Sequence, residues 1–469
     1  MNRVKIVATI GPATASEAQV RALVEAGMDV ARLNGSHADL QWHADTIALL
    51  RRAAPGVPIL LDVPGRKIRT RQLAHEPSFA LGDIVVLTTD PNTDGRIKVP
   101  VNRDDLHANV RAGAVIFADD GTLRFTIVSI NGRDIICRAE TAGKLRSAKG
   151  INVPGVAFPN RGLTERDERM LAFANQHGVD FVGISFVESA QHVAEVRSVT
   201  KAGGPRVLSK VENVGAMENL AEVINASDAI MIDRGDLSVE TNLESVALSQ
   251  KRILRQARES ATPVIVATEM LHSMIENPFP TKAEVSDITN AVLDGASALM
   301  LSGETAVGKF PAVAVATMRR VADAAAESLQ IALDDQSSTV PEAMGEAISL
   351  MCRRLPITKI VAITISGYAA RMVAGCRPRQ PILAVTNDPG RTRSLNLLYG
   401  TEGIEVPIVF SRTSTDHIAQ CLHALWLRGK VDDSDLVLVT SVGYPKSGTR
   451  MNLIQTHAVS DLRESLGWT

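Results

Sequence analysis

The sequence predicts an α/β protein: a (β/α)8 barrel with an inserted small β-barrel domain and a C-terminal α/β open-sheet domain. Three observations lead to this fold class. Eight short apolar runs alternate with helical patterns, a long β-rich segment separates the third run from the fourth, and a new α/β series begins after residue 330. Alternating strands and helices favour a parallel sheet that closes into a barrel.

The eight apolar runs have the length of strands, and helical stretches of fitting length lie between most of them. The runs are Val4 to Ile10, Asp29 to Leu33, Pro58 to Leu61, Phe181 to Ile184, Arg206 to Leu208, Ala229 to Ile232, Pro263 to Ala267 and Ala298 to Leu301. Polar or charged residues end each run. We therefore expect these side chains to gather at one end of the barrel, where barrel enzymes hold their active sites.

The segment between the third and fourth runs is far longer than one crossover helix requires. Its short β-type runs are Asp83 to Thr88, Ala114 to Phe117, Leu123 to Ile130 and Asp134 to Ala139. Asn131-Gly132 between the last two predicts a hairpin. We expect the barrel over 1–69 and 156–330 and the inserted β domain over 70–155, where it could act as a lid that excludes water.

A third domain is expected over 331–469, and its α/β series follows a linker at Asp334 to Ser338. Its expected strands, in an open parallel sheet, are Lys359 to Ile365, Pro381 to Thr386, Val406 to Phe410 and Asp435 to Thr440. The turn Thr364 to Tyr368 joins a strand to a helix, where backbone N–H groups and hydroxyls can hold a phosphate. The alternative is that this turn only caps the helix.

Composition limits the function classes. The chain has 469 residues, enough for two or three domains, and 50 basic and 52 acidic residues give a net charge of −2. This balance gives no general attraction to nucleic acid or membrane. The chain has no signal peptide pattern, no membrane-length apolar run and no CxxC pair among its cysteines, so we expect a reducing, cytoplasmic location. The cysteines are Cys137, Cys352, Cys376 and Cys421.

Charged residues follow directly after the apolar runs of two neighbouring predicted strands. Lys210 and Glu212 lie two residues apart and therefore face the same side of their strand, and Asp236 follows the next strand. Two carboxylates that leave positions open to water and phosphate oxygens suit magnesium. A lysine beside them would stabilise charge that moves onto a phosphoryl group. For Lys210 and Glu212 alone, a salt bridge at the strand end is the open alternative.

One motif is rejected. Gly303 to Lys309 matches most of the P-loop pattern, but Phe310 stands where a hydroxyl is needed for magnesium. Histidines such as His43 and His272 show no metal-ligand spacing, and we expect solvated or capping roles for most of them.

Longer motifs resemble those of the pyruvate kinase family. They are Lys5 to Pro12, Arg32 to Asn34 with Ser36-His37, Lys149 to Gly155, Ser209 to Asn213, Arg234 to Leu237, Ala267 to Leu271, Asn290 to Ala296 and Leu301 to Thr305. The resemblance implies a TIM barrel with an inserted β domain and a C-terminal α/β domain. It also implies phosphoryl transfer from phosphoenolpyruvate to ADP, which gives pyruvate and ATP.

The resemblance also implies roles for residues at matching positions. Lys210 would stabilise the phosphoryl group and the enolate oxygen, and Glu212 and Asp236 would hold Mg²⁺ or Mn²⁺. The backbone amides of Gly235 and Asp236 would receive the substrate carboxylate, and Thr268 would help to deliver a proton to carbon. The remaining expected site residues are Arg32 for the phosphate, Ser302 with the catalytic group, and Arg69, Lys149, His37 and Asn34 for the nucleotide.

The chain departs from the family after its third strand. Asp62 to Lys67 reads Asp-Val-Pro-Gly-Arg-Lys where most members carry Asp-Thr-Lys-Gly-Pro-Glu. Val63 lacks the oxygen that binds a monovalent cation, and Lys67 puts an ammonium where the glutamate would lie. The chain resembles the potassium-independent branch here, so we expect no requirement for K⁺.

Other departures touch the substrate surroundings. Gly35 replaces a phenylalanine, Glu188 stands where many members have arginine, and Asp233 replaces a small residue. Asp233 would repel an anionic substrate unless it is paired, and Arg66 and Arg234 are the expected partners. A different enol phosphate as substrate, or a non-catalytic phosphometabolite sensor, are the alternatives.

The C-terminal turn matches the family's effector loop at Thr364, Ser366 and Gly367, although Tyr368 replaces a small hydroxyl residue. Gly443 to Gly448 resembles the companion loop. An allosteric sugar phosphate or nucleotide is therefore expected, and so is a homotetramer, because the family usually forms one.

Overall fold

The computed structural model describes residues 2–119, 121–156, 162–201, 203–329, 339–410, 414–442 and 451–468. The expected linker at Asp334 to Ser338 and the companion loop at Gly443 to Gly448 lie outside the described residues. Within these ranges, none of the helices combines the length and the apolar character needed to cross a bilayer.

Eight parallel strands form a closed barrel, which confirms the central part of the predicted fold class. Each strand pairs with the next along the chain, and the last pairs with the first. The strands are Lys5–Thr9, Val30–Asn34, Ile59–Val63, Phe181–Ile184, Arg206–Val211, Ala229–Asp233, Val264–Ala267 and Ala298–Leu301. Each agrees with one predicted apolar run to within a few residues.

Helices cover the outside of the barrel. Their starts follow local chemistry: Ser16, Asp39 and Ser189 cap the first turn with a side-chain oxygen, and Thr164 and Thr281 form capping boxes. The α-helices are Glu17–Ala26, Leu40–Ala53, Glu165–Gln176, Ala190–Val199, Val214–Glu218, Leu220–Ala226, Arg234–Glu240, Val246–Glu259, Lys282–Leu293, Gly303–Ala306 and Pro311–Glu327, and 3-10 helices span Leu243–Ser245 and His272–Ile275.

The barrel interior is filled by apolar side chains, one or two from each strand. They include Val7, Leu60, Leu208 and Met300, and Leu397 from the C-terminal domain belongs to the same cluster. The interior is therefore a packed core rather than a channel. Polar side chains at the carboxyl ends of the strands face an open mouth above it.

The insert is β-rich, as predicted, and has a hydrophobic cluster of its own. It forms a six-stranded sheet, a two-stranded sheet and one short helix, Leu106–Asn109. The six strands, in sheet order, are Ile151–Asn152, Val115–Ala118, Leu123–Asn131, Asp134–Ala139, Ile84–Thr88 and Lys98–Pro100, and the two are Gly143–Lys144 and Ser78–Phe79. The first and last strands of the larger sheet, Ile151–Asn152 and Lys98–Pro100, are not paired with each other. The insert therefore contains open sheets where a small closed barrel was expected.

The C-terminal domain is the predicted α/β sheet, with two corrections. The sheet order is Thr401–Glu405, Ile382–Thr386, Lys359–Ile363, Leu436–Ser441 and Leu453–Ala458, and the last strand is antiparallel. The sheet is therefore mixed rather than wholly parallel. Its helices are Val340–Arg354, Tyr368–Gly375, Pro389–Thr392, Asp416–Leu427 and Val459–Leu466, with the 3-10 helix Arg393–Leu397.

The second correction concerns the edge strand. The strand expected at Val406 to Phe410 is wrong, because the chain pairs over Thr401–Glu405 instead. Pro407 lacks the N–H that a strand needs for its ladder, and the side chain of Val409 is exposed.

Candidate active site

Lys210 lies at the carboxyl end of the strand Arg206–Val211 with its ammonium group among three carboxylates. Its Nζ is 3.0 Å from Glu212 Oε2, 3.0 Å from Asp233 Oδ2 and 3.8 Å from Asp62 Oδ2. Burial alone lowers the pKa of this ammonium, but the surrounding carboxylates outweigh burial and raise the pKa well above its ordinary value. Lys210 is therefore a fixed cation.

Glu212 is fully buried and only partly satisfied. Its Oε1 accepts a hydrogen bond from the Phe186 amide at 2.7 Å, whereas Oε2 faces the Lys210 ammonium without a hydrogen bond of good geometry. Burial raises the pKa of Glu212, although Lys210 opposes this shift. Glu212 Oε2 is therefore ion-paired with Lys210 and still has capacity to bind a further cation.

Lys67 binds the other predicted metal ligand, Asp236. Its Nζ lies 2.6 Å from Asp236 Oδ1 and 2.8 Å from Oδ2, and 5.9 Å from the centre of the Phe186 ring. Lys67 follows the third barrel strand, where the chain leaves for the insert. The sequence marked Lys67 as a departure from the family pattern, but it did not indicate this contact.

Three carboxylates come together at the mouth. Glu212, Asp233 and Asp236 each place one oxygen within 4.8 Å of the others. Carboxylate oxygens at this spacing suit a hard divalent cation, and the unsatisfied Oε2 of Glu212 is the kind of atom that such an ion would complete. The residues thus fit Mg²⁺ or Mn²⁺, with Asp233 as an addition to the two predicted ligands.

The expected partners of Asp233 are wrong. Its ion pair is with Lys210, whereas the Arg234 guanidinium pairs with Asp287 at 2.7 Å and Arg66 Nε donates to the Gly162 carbonyl at 2.5 Å. Lys210 lies on the neighbouring strand and reaches across to Asp233. Burial on its own raises the pKa of Asp233, but Lys210 and Lys67 outweigh burial and lower it.

Arg32 is held at the same mouth by Asp62. Its Nε and Nη2 donate to Asp62 Oδ2 at 3.1 and 2.5 Å, and Nη1 donates to Thr9 Oγ1 at 3.1 Å. Because Asp62 also lies near Lys210, one carboxylate joins the predicted phosphate-binding arginine to the charge cluster.

Thr268 has a strained backbone with φ of +68°, and the next residue, Glu269, has φ of +56°. A β-branched residue rarely adopts this conformation, and such outliers concentrate at functional sites. Its Oγ1 accepts from the Gly235 amide at 2.9 Å and donates to the Ala267 carbonyl at 2.6 Å. The Gly235 amide, expected to receive a substrate carboxylate, is thus engaged by Thr268 in this structure.

Two predicted nucleotide-binding residues lie on the chain segments that lead into and out of the insert. Arg69 and Gly150 pair across these segments, and Arg69 Nη1 donates to the Ala148 carbonyl at 3.0 Å. The neighbouring Lys149 forms an ion pair with Asp119 at 2.6 Å. The structure therefore brings Arg69 and Lys149 together at the base of the insert.

The other two follow the second barrel strand. Asn34 Oδ1 accepts from the Ser36 amide at 3.1 Å, so this side chain shapes the loop. Burial, followed by the positive charges of Arg69 and Arg32, lowers the pKa of His37. His37 is therefore neutral at physiological pH and lies near two of the predicted anion-binding arginines.

Ser302 follows the last barrel strand. Its amide donates to Glu304 Oε2 at 2.7 Å, and Glu304 Oε1 accepts from the Leu271 amide at 3.2 Å. These contacts fix the strand end, and the catalytic role of the Ser302 hydroxyl stays a prediction.

Two family departures lie at defined places in the structure. A Cβ atom on Gly35 would lie 2.6 Å from the Asp62 carbonyl oxygen, so the phenylalanine of other members does not fit this backbone. Glu188 lines a cavity of about 270 Å³ between the insert and the barrel, where burial raises its pKa.

Glu240 is a site-lining residue that the sequence did not indicate. It lies on the helix Arg234–Glu240, lines the same cavity and accepts a hydrogen bond from Asn152 of the insert at 2.7 Å. Burial raises its pKa to about 7. No motif marks this residue, because its importance arises from contact with a distant segment.

The expected effector turn is closed on itself. Thr364 Oγ1 accepts from the Gly367 amide at 2.9 Å, and Ser366 Oγ accepts from the Tyr368 amide at 3.4 Å. These amides are engaged by hydroxyls, as in an ordinary cap, instead of being open to a phosphate.

The same turn lines a cavity of about 180 Å³ between the C-terminal domain and the amino end of the barrel. Its lining includes Ser366, Gly367, Arg371 and Arg391, with Arg206 from the barrel. The cations of this cavity are thus guanidinium groups from both domains.

Comparisons with known proteins agree with this geometry. The family model described as pyruvate kinase, barrel domain, matches residues 1–315, and that described as pyruvate kinase, alpha/beta domain, matches 342–457. The pyruvate kinase of Mycobacterium intracellulare is 40% identical over 98% of this chain and 99% of its own length. That of Bacillus licheniformis is 36% identical over 98% of this chain and 81% of its own length. On these matches, the chain belongs to the pyruvate kinase family.

Proposed function

We propose that this protein transfers the phosphoryl group of phosphoenolpyruvate to ADP and yields pyruvate and ATP, a step of glycolysis. The carrying observation is the buried Lys210 ammonium, 3.0 Å from both Glu212 and Asp233, at the mouth of a barrel of this family. Phosphoryl transfer requires positioning and charge neutralisation more than covalent chemistry. The site supplies both.

Lys210 is the proposed group that stabilises the phosphoryl group in flight and the enolate oxygen. Its Nζ donates to Ser185 Oγ at 3.1 Å, so the cation is positioned before substrate arrives and needs little reorganisation. Glu212 and Asp236 would hold Mg²⁺ or Mn²⁺, which when bound supplies positive charge to phosphate and carboxylate oxygens.

Thr268 is proposed to help deliver the proton to the methylene carbon of the enolate, with its hydroxyl relaying a proton that solvent replaces, so that no alkoxide is left. Before substrate binds, the Gly235 amide and the Ala267 carbonyl hold its hydroxyl, and the strained backbone fixes the direction of its side chain. Arg32 would bind the phosphate through its planar guanidinium, and Ser302 would line the site. The amides of Gly235 and Asp236 would receive the substrate carboxylate once Thr268 Oγ1 gives up its bond to Gly235.

Arg69, Lys149, His37 and Asn34 are the proposed nucleotide-binding residues. Arg69 and Lys149 lie where the insert joins the barrel, so a movement of the insert would carry them relative to the mouth. We assign the barrel to 1–69 and 156–330 and the insert to 70–155, and propose that the insert closes as a lid over the nucleotide. The separate hydrophobic cluster of the insert supports movement as a unit.

We also propose that activity does not require K⁺. Lys67 places a fixed monovalent charge on Asp236, and Val63 has no side-chain oxygen for an alkali cation. Initial rates with sodium as the sole alkali cation should equal those after addition of 100 mM potassium, within about twofold. A stimulation of tenfold or more by potassium would contradict this proposal.

The main test is a coupled assay of pyruvate formation from phosphoenolpyruvate and ADP with Mg²⁺ or Mn²⁺. We expect turnover that depends on both substrates and on the metal. No turnover under any of these conditions would overturn the proposed activity. It would favour a sensor of phosphometabolites instead.

A second candidate is transfer from a different enol phosphate. It is favoured by Asp233 and Glu188, which add carboxylates where most family members have a small residue and an arginine. ATP formation from ADP, measured with phosphoenolpyruvate and with its longer-chain homologues, separates the two. A higher kcat/KM for a homologue would establish the second candidate.

An anionic effector, a sugar phosphate or a nucleotide, is proposed for the cavity between the C-terminal domain (331–469) and the barrel. Arg371, Arg391 and Arg206 line it together with the turn that carries Thr364, Ser366 and Gly367. Guanidinium groups bind phosphate bidentately, so they can serve although the turn amides are engaged. Unequal affinity for two global states would make such a ligand allosteric.

Location and assembly are proposals of the same kind. The four cysteines are free thiols, which supports a reducing, cytoplasmic compartment. A homotetramer is proposed because the family usually forms one, and light scattering of the purified protein would test it.

A further inference from the structure

We propose that Asp233 is a third carboxylate ligand of the divalent-ion site and lets the enzyme hold the ion before substrate binds. The proposal rests on the proposed function only in taking Glu212 and Asp236 as the other two ligands. Asp233 is the last residue of the barrel strand Ala229–Asp233, and it is buried.

Strand register puts Asp233 beside Glu212. Lys210 pairs with Met231 and Val211 with Ile232 in adjacent parallel strands, so the next row joins Glu212 to Asp233. Residues in one row of a sheet face the same side. Both carboxylates therefore point into the mouth, and Asp236 joins them from the first turn of the following helix.

The spacing of the three carboxylates suits one ion. Their nearest oxygens lie within 4.8 Å of one another. On an octahedral Mg²⁺ with ligands at about 2.1 Å, neighbouring oxygens lie about 3.0 Å apart and opposite oxygens about 4.2 Å apart, so the three carboxylates would have to turn toward the ion and draw closer together.

A second observation concerns Glu212 Oε2. This atom is buried and has no hydrogen-bond partner in the part of the chain that the structure describes, and the Lys210 ammonium with which it is ion-paired is also paired with Asp233. The second ammonium, that of Lys67, is bound to Asp236. Three carboxylates thus share two ammonium groups, and a divalent ion among them would complete the site.

A competing role for Asp233 is to position Lys210 without touching the metal. The two roles differ in the substrate-free enzyme. A ligand contributes to metal affinity even when Lys210 is removed, whereas a residue that only positions Lys210 does not.

The experiment titrates Mn²⁺ into the full-length, substrate-free protein and follows free Mn²⁺ by electron paramagnetic resonance. The variants are Asp233→Asn, which keeps the side-chain shape, and Asp233→Ala, which restores a small residue. Asp94→Asn is the control, because it removes an exposed carboxylate of the insert outside the three-carboxylate cluster. We expect Kd for Mn²⁺ to rise at least about tenfold in both Asp233 variants and to stay within about twofold in the control.

A second readout is water relaxation by the bound Mn²⁺, which reports the number of waters on the ion. Asp233→Ala should bind more waters than the wild type, because a water replaces the carboxylate. The same tenfold rise in Kd for Mn²⁺ should appear when the double variant Asp233→Asn/Lys210→Met is compared with the single variant Lys210→Met. Circular dichroism of each variant confirms that it folds.

Unchanged or tighter Mn²⁺ binding in folded Asp233→Asn and Asp233→Ala would overturn the proposal. This failure is distinct from failure of the proposed function. If the wild type turns over phosphoenolpyruvate but its Mn²⁺ affinity does not depend on Asp233, the proposed function stands and the third ligand is refuted. If the wild type shows no turnover but its Mn²⁺ affinity depends on Asp233, the third ligand stands and the proposed function is refuted.

Discussion

Two regions of this molecule set basic side chains against carboxylates, and they differ in burial and in sharing. At the barrel mouth, the side chains of Lys210 and Arg32 are 7% and 8% exposed, and both contact Asp62. In the cavity against the C-terminal domain, the side chain of Arg391 is 28% exposed and its ion pair is with Asp388, which is 38% exposed.

This difference decides how each region responds to change. A buried charge that loses its partner retains the full cost of its desolvation, whereas an exposed pair contributes little and can exchange partners. The mouth is therefore suited to hold a fixed electrostatic field for catalysis. The C-terminal cavity is suited to bind and release an anion at small cost.

The largest expected effect is on turnover after Lys210→Met. Loss of the ammonium that contacts both Glu212 and Asp233 should lower kcat by about 10³-fold, the upper range for removal of one positioned electrostatic group. The coupled pyruvate assay measures it. Lys309→Met is the matched control, because this lysine pairs with Glu276 on the surface and is 64% exposed.

If Lys210→Met retains more than a tenth of the wild-type kcat, the barrel mouth does not differ from the C-terminal cavity in holding a fixed charge for catalysis. Such a result would show that the buried ammonium at the mouth is structural. The control should stay within about twofold of the wild type.

The next largest effect is on stability. Arg32→Met leaves Asp62 buried without its main partner and should cost on the order of 3–5 kcal/mol. Arg21→Met breaks an exposed pair with Glu17 and should cost less than about 1 kcal/mol. Chemical denaturation followed by circular dichroism compares the two variants, and equal losses would show that burial does not separate the pairs.

The barrel mouth was predictable from sequence because each of its signals lies within a single strand. Each strand is an apolar run that ends in polar residues, and the two-residue period alone places Lys210 and Glu212 on one side. Contacts between strands were not predictable. The pairing of Asp233 with Lys210 depends on the register of two strands, and Lys67 reaches Asp236 from a loop 169 residues away in the chain.

The C-terminal domain was harder for a physical reason. Its edge strand Thr401–Glu405 contains Glu402, Gly403 and Glu405, which break the apolar pattern because an edge strand is half solvated. The more apolar segment after it, which contains Pro407, was predicted as the strand instead. At the effector turn, sequence supplied the hydroxyls but did not reveal that they bind the turn's own amides.

A smaller effect concerns pH and Glu240, which connects the mouth to the insert. Its pKa is raised by burial to about 7 in the folded protein, from an ordinary value of 4.5. The folded state therefore binds the proton more tightly than the unfolded state, and stability from this group is lost as pH rises from about 4.5 to 7. Glu240→Gln keeps the oxygen that accepts from Asn152 and cannot ionise.

We expect Glu240→Gln to match the wild type in stability near pH 5 and to exceed it near pH 8, by up to about 3 kcal/mol. Thermal unfolding at both pH values, with chelator present, measures this difference. A gap that is larger at pH 5 than at pH 8 would contradict the buried-carboxylate explanation.

The smallest expected effect is at the C-terminal cavity. Arg391→Met removes a partly exposed cation that also donates to the Ser366 carbonyl at 3.3 Å, and it should cost less than about 1 kcal/mol of stability. Its effect should appear in anion binding instead, because guanidinium groups are the principal donors there. Added glucose 6-phosphate or AMP should raise the unfolding temperature of the wild type. In Arg391→Met, the concentration of the anion that gives half of this rise should be at least about threefold higher, and Arg21→Met should behave like the wild type. If Arg391→Met responds to these anions as the wild type does, the cavity is a gap in the contact between two domains and does not bind anions. The two regions would then differ only in how deeply their charges are buried.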